Sequence, residues 1–374
     1  MDTAKPFSAR RLQLLALLNG RLQGVSAFDE ADFWQAAEEE GIVAVLWHAV
    51  CDRPLSAKAK VLASPYLRTQ TAQVMRCRQV TEEVLTAANS AGISVLCLRG
   101  QALAETLYEN SSLRPQSDVD MLVSAADVPE FDDALRGIGF TPTPLYPMVF
   151  ERGQVLVDVH TDIIGMARIA SRSKMTSLRT AEFFQHAKQG SFCGQPALVL
   201  GHRVLLPYLC LHALKHSYER LIWLWDIVLL TRRIEKEQVW PEVVDGIHIY
   251  RLERPCYYAL SYVRKYLNAS IPEEVMQAIR PQMNWREKSL LARFMAHEPV
   301  PYMAERIFSR MMPDAASCRA FWHETIFPRL EVREQFAGDT DCPNCNFIRN
   351  RIRLLLGGVV LIWRELMALI RFSA

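Results

Sequence analysis

The feature that most constrains this chain is a pair of carboxylates one residue apart. Asp118 and Asp120 open the run Asp-Val-Asp-Met-Leu-Val, which otherwise reads as a buried strand. Side chains alternate faces along a strand, so the two acids project on one side, about 7 Å apart. A second alternation, Val155-Leu-Val-Asp-Val-His160, sets Asp158 and His160 on one face and Val155, Val157 and Val159 on the other. Acids on a sheet face are costly to bury unless cations or hydrogen-bond donors compensate them. The pattern therefore predicts neighbouring strands that gather carboxylates around divalent cations and an anionic substrate. Asp162 competes with Asp158 for the third place if the strand runs on.

Phosphoryl and nucleotidyl transfer ask little covalent help of a protein. They need metals to collect charged oxygens and a hydroxyl placed in line. Two Mg²⁺ ions about 4 Å apart can do this when carboxylates bridge them. An Asp-x-Asp pair plus an Asp on a neighbouring strand is such a set, and hard oxygen donors favour Mg²⁺ over zinc. Upstream, Arg99-Gly100-Gln101 follows the apolar run Ile93–Leu98 and precedes helical spacing from Gln101 to Glu109. Glycine permits close backbone approach there, and a helix start offers free N–H groups to phosphate. Arg99 and Arg114 are placed to add charge-assisted contacts to a triphosphate.

With 374 residues, 50% of them hydrophobic and 22% charged, the chain is long enough for two or three domains around a sizeable core. A net charge of +2 argues against a dedicated nucleic-acid binder. Nine cysteines without a framework fit reduced thiols and a cytoplasmic location. Only Cys342 and Cys345 form a close pair, a weak signal for zinc or redox chemistry. Asp2, Gln13 and Arg21 spoil a signal peptide, and a helix from near Ser8 is expected instead. No stretch reaches the length of about 20 apolar residues that spans a bilayer. The run Leu354–Trp363 lies among Arg349, Arg351, Arg353, Arg364 and Arg371, a basic helix that would be solvated or meet a protein or membrane surface.

The expected class is α+β: a small mixed sheet with helices, flanked by helical regions. The boundaries fall at 1–90 for an N-terminal helical region, 91–201 for the α/β core and 202–374 for a C-terminal helical region. A helix is expected from Asp127 to Gly137, with Pro129 in its first turn. Short extended runs follow at 139–145, 147–152 and 155–161, then one at 197–200. Glu38, Glu39 and Glu40 read as a solvated helix face.

The run Leu211–Arg220 places His212 and His216 on one helical face with Lys215 beside them. Ala213 stands where a zinc protease needs glutamate, so that reading fails. The histidines either line a nucleotide or acceptor pocket or are satisfied at an interface, and Lys215 is a candidate phosphate contact. Trp223 and Trp225 favour core over base stacking, Asp226 is expected to cap or pair with an arginine such as Arg220, and Cys97 reads as a buried hydrophobe.

Arg99-Gly100, Leu107-Tyr108, Arg114, Ser117-Asp118-Val119-Asp120 and Asp158-Val159-His160 together resemble the nucleotidyltransferase superfamily with the DNA polymerase β-like fold. Within it they are most similar to the uncharacterised bacterial branch called nucleotidyltransferase family 5, over roughly residues 30 to 235. Many members of the superfamily carry Gly-Ser at the phosphate turn, where this chain has Gly100-Gln101. The resemblance implies a nucleoside triphosphate substrate, ATP first, and two Mg²⁺ ions held by Asp118, Asp120 and Asp158. Arg99, Gly100, Gln101, Arg114 and Lys215 would bind the nucleotide. The acceptor would be a small molecule, peptide or protein rather than a long nucleic acid. A phosphotransferase and a catalytically silent nucleotide-binding accessory protein are the alternatives.

Overall fold

The computed structural model describes residues 9–20, 25–52, 54–144, 146–329 and 332. Helices dominate both flanks, and between them lies a mixed sheet, so the chain is α+β as its pattern predicts. The sheet comprises β1 (Leu96–Cys97), β2 (Asp118–Leu122), β3 (Thr141–Pro142), β4 (Val149–Arg152), β5 (Val155–His160), β6 (Ala187–Phe192) and β7 (Gln195–Leu200). Their spatial order is β3-β4-β5-β2-β1-β7-β6. β2 runs parallel to β5 and antiparallel to β1, and the β2–β5 register sets Asp120 opposite Asp158 and Leu122 opposite His160.

That register follows from the dry face. Val119, Met121, Val155, Val157 and Val159 all enter one apolar cluster, against Cys77, Val80, Val84, Phe131 and Leu135 of the helices Ala57–Ser90 and Val128–Gly137. A strand has period two, so burying these valines forces Asp120, Asp158 and His160 onto the opposite face. The Ala57–Ser90 helix starts at Ser56, whose hydroxyl accepts from Ala59 N–H at 2.9 Å.

The other face of the sheet adjoins a larger cluster. Leu96, Leu98, Leu122 and Leu200 meet Leu14, Phe33 and Trp34 from the N-terminal helices and Val204, Leu224 and Tyr258 from the C-terminal ones. Helices from both ends of the chain thus share one core. Glu40, expected on a solvated face, instead bonds buried Arg11 at 3.0 Å and accepts from Leu221 N–H at 2.8 Å.

Two local expectations shift. β1 pairs only at Leu96 and Cys97, although Leu98 N–H still donates to Asp120 O at 3.1 Å. β6 falls outside the expected extended runs. It is an edge strand exposed along most of its length, Ala-Lys-Gln-Gly-Ser-Phe, and carries no apolar alternation to betray it. Cys342, Cys345, Leu354–Trp363 and the basic C-terminal run lie outside the described residues. Among the described residues no helix is long and apolar enough to cross a membrane.

Candidate functional site

Asp120 is the centre of the polar face. Its carboxylate is buried and accepts from Arg99 Nε at 3.1 Å, while Arg99 Nη2 closes a second, shorter contact. His160 Nε2 lies 3.0 Å from Asp120 Oδ1 and 3.3 Å from Asp158 Oδ2, so one ring nitrogen touches both acids. Burial alone would raise the Asp120 carboxyl, but the Arg99 guanidinium and the His160 ring outweigh it and hold it well below the usual carboxylate range. Asp158 keeps a 34% exposed side chain, so the site is open to solvent.

Asp120, Asp158 and His160 place one ligand atom each within 4.8 Å of one another, the grouping that could hold a cation among the described residues. The two acids are the hard oxygen donors Mg²⁺ and Mn²⁺ prefer, whereas an imidazole nitrogen suits zinc better. Asp118 stands beside this grouping rather than in it. Its carboxylate accepts from Ser117 Oγ at 2.9 Å, and its pKa is raised by burial and by the charge of Asp120.

Behind Asp120 the Arg99 guanidinium reaches a second element. Its Nη1 lies 2.9 Å from His212 Nε2, on the helix His202–Lys215. Burial and the adjacent Arg99 push the His212 pKa well below its ordinary value, so the ring is neutral and can accept that hydrogen bond. The sequence spacing put His212, Lys215 and His216 on one face but gave no signal that this face meets Arg99. Lys215 is accessible yet crowded, its pKa brought down to about 8 by burial and by Arg172, Arg99 and Arg168. Arg172 is a buried cation that sequence reasoning missed, and it leans on the Phe308 ring with its guanidinium 5.2 Å away.

The glycine turn adopts the conformation its residue type allows. Gly100 has φ +45, and a β-carbon there would lie 3.2 Å from Gln116 Oε1. Gln101 turns inward: its amide donates to Glu105 Oε1 at 2.6 Å, and its carbonyl accepts from Gln116 Nε2 at 2.9 Å. No side chain caps the helix Gly100–Leu107 that begins at this turn.

Three expected site residues take other partners. Arg114 is buried and spends its fork on Asp226, with Nε–Oδ1 3.0 Å and Nη2–Oδ2 2.9 Å, while Tyr108 Oη donates to the same acid at 2.7 Å. Asp226 therefore pairs with Arg114 rather than Arg220, and takes up the Nε and Nη2 of its guanidinium. Gln101, buried within the polar trio above, likewise faces away from solvent. Asp162, the rival to Asp158, spends Oδ1 on the amides of Ile164 and Met166, at 2.9 and 3.1 Å, and caps its own turn. Cys97 is buried beside Met121, its thiol pushed up by burial, as a small hydrophobe should be.

Acids aligned across parallel strands, an arginine locked on one of them and Lys215 near that arginine make a grouping that could hold a cation. The family model for uncharacterised nucleotidyltransferases matches residues 26–268, and the chain belongs to that family. No curated protein matches the sequence. Among solved structures the chain is similar to a solution structure of the antibiotic-resistance factor ANT(2'')-Ia, at 15% identity and TM-score 0.35, covering 52% of this chain and 98% of that one. It is also similar to a crystal structure of ANT(2")-Ia in complex with adenylyl-2"-tobramycin, at 14% identity and TM-score 0.34, covering 47% of this chain and 97% of that one.

Proposed function

We propose that the protein transfers a nucleoside monophosphate from a nucleoside triphosphate, ATP first, to an acceptor hydroxyl and releases pyrophosphate. The observation that carries this reading is the register of Asp120 opposite Asp158 on parallel strands, with His160 between them. Asp120, Asp158 and Asp118 would hold Mg²⁺, which when bound neutralises phosphate charge and orients the triphosphate. Asp158, the most exposed of the cluster, is placed to take the proton from the acceptor hydroxyl as that oxygen attacks. Arg99 orients Asp120 and presents positive charge to the reacting phosphate, while the accessible Lys215 adds a second cation for the leaving pyrophosphate. Gly100 lets the chain approach phosphate closely, and backbone N–H groups supply the grip.

The near-neutral charge of the chain disfavours a long nucleic acid as acceptor, which leaves a small molecule, peptide or protein. One feature favours a second reading: the residue after Gly100 is Gln101, turned inward, so the turn offers no side-chain hydroxyl to phosphate. Binding without turnover is the alternative that follows.

Incubation with each α-labelled nucleoside triphosphate, Mg²⁺ and cell extract tests the proposal. Transfer predicts label on an acceptor and free pyrophosphate. Nucleoside diphosphate as product would instead identify a phosphotransferase. Tight binding with neither product would leave the silent binder.

A further inference from the structure

The two tryptophans of the helix Leu221–Glu237 pack against the large core cluster, as expected, while each stays partly exposed, and their surroundings differ. Trp225 borders a cavity of ≈ 680 Å³ with Tyr108, Leu229 and Arg232, and Arg232 sits over its ring at 5.3 Å. Trp223 faces the other way. Its ring centroid lies 5.2 Å from that of His212, at an interplanar angle of 78°, and 4.9 Å from that of His216, at 44°. His212 in turn touches Arg99, and Arg99 holds Asp120.

We propose that Trp223, backed by His212 and His216, is the platform on which the nucleotide base stacks. The inference rests on the nucleotidyl-transfer reading of the carboxylate site and adds where the base goes. Two side-chain contacts, through His212 and Arg99, separate the Trp223 ring from Asp120, which suits the reach from a reacting phosphate across a ribose to its base. The wall is aromatic and uncharged: burial, then Lys215 and Arg99, bring the His216 pKa down to about 4, and His212 is neutral for the reason given above. Every nucleobase offers a π-face to such a wall, so the platform grips nucleotides broadly and favours the larger purines. Lys215 leaves the same helix end beside Arg172 and Arg99, which places the polyphosphate on the cationic side and the base on the aromatic side.

Calorimetric titration of the full chain with a non-hydrolysable ATP analogue and, separately, with inorganic tripolyphosphate tests this, both with Mg²⁺. Base–aromatic stacking measured by truncation predicts that Trp223→Ala weakens the analogue about 10- to 100-fold. Tripolyphosphate, which has no base, should bind the variant as it binds wild type. Trp223→Phe should restore most of the affinity, and Trp223→Leu, which fills the space without a π-face, should not. Equal affinity of wild type and Trp223→Ala for the analogue overturns the platform while the carboxylate site stands. Wild type that binds tripolyphosphate but no better with a base attached overturns it too. Wild type that binds neither ligand removes the nucleotidyl-transfer reading itself. Should Trp223→Ala fail to fold, the Leu and Phe variants decide the matter between them.

Discussion

Replacing Asp226 with alanine separates the two roles open to Arg114. The pair is buried on both sides, with side chains 7% and 2% exposed, and Tyr108 adds a third hydrogen bond. Removing one partner of such a pair strands the other charge in a dry interior, which costs about 3–5 kcal/mol. Whole proteins of this kind are stable by roughly 5–15 kcal/mol, so the loss is a large share of the total. Urea unfolding followed by circular dichroism should show the midpoint of Asp226→Ala falling sharply. The double variant Arg114→Met/Asp226→Leu removes both charges and fills the space, and should recover most of the loss. If Arg114 serves the fold alone, the folded fraction of Asp226→Ala keeps its nucleotide affinity. Loss below about 1 kcal/mol would refute the buried-pair argument, and a selective loss of triphosphate affinity at full stability would return Arg114 to the phosphate site.

Other outcomes follow from the same geometry. Asp120→Asn and Asp158→Asn should lower transfer at least about a hundredfold, with Asp158→Asn melting near wild type because its side chain is partly exposed; activity within a few-fold of wild type would exclude the carboxylate mechanism. Gly100→Ala, forced to φ +45 against Gln116 Oε1, should destabilise by more than about 1 kcal/mol and raise KM for the triphosphate, as steady-state kinetics and melting would show. His216 and His297 have folded pKa values brought down to about 4, by burial first in each case. The unfolded chain therefore binds protons first as pH falls below about 6.5, and stability should decline from there towards pH 4. Denaturation midpoints across that range should flatten in a His216→Gln/His297→Gln variant. Lys215, at about 8, should react with amine reagents at pH 8 ahead of ordinary lysines and be protected by bound triphosphate, which mass spectrometry of labelled peptides can read.

What the sequence revealed was whatever depends on period. The alternation in Val155–His160 located β5 and its dry face, and with Asp118-x-Asp120 it was enough to anticipate two neighbouring strands presenting acids on one side; that they run parallel was not legible. Helix starts with clear chemistry, such as Pro129, were equally legible. Partnerships set by tertiary approach were not. No spacing rule announces that Arg99 bridges Asp120 to His212, 113 residues away, or that Arg114 answers Asp226 across 112. Asp162 looked like a ligand because period two allowed it, but a turn after β5 claimed its oxygen for nearby amides. β6 was invisible because an exposed edge strand needs no apolar pattern.

The alignment of the two acids across β2 and β5 makes the chemistry a hostage of the valines behind it. His160 touches both acids on the wet side, but the fit of Met121, Val157 and Val159 into their pocket sets the level of 158 against 120. A slip of one step between those strands would turn Asp158 to the oily side and abolish the centre in a single move. Trimming a methyl group from Val157 should consequently be felt in turnover, through a sheet it never crosses.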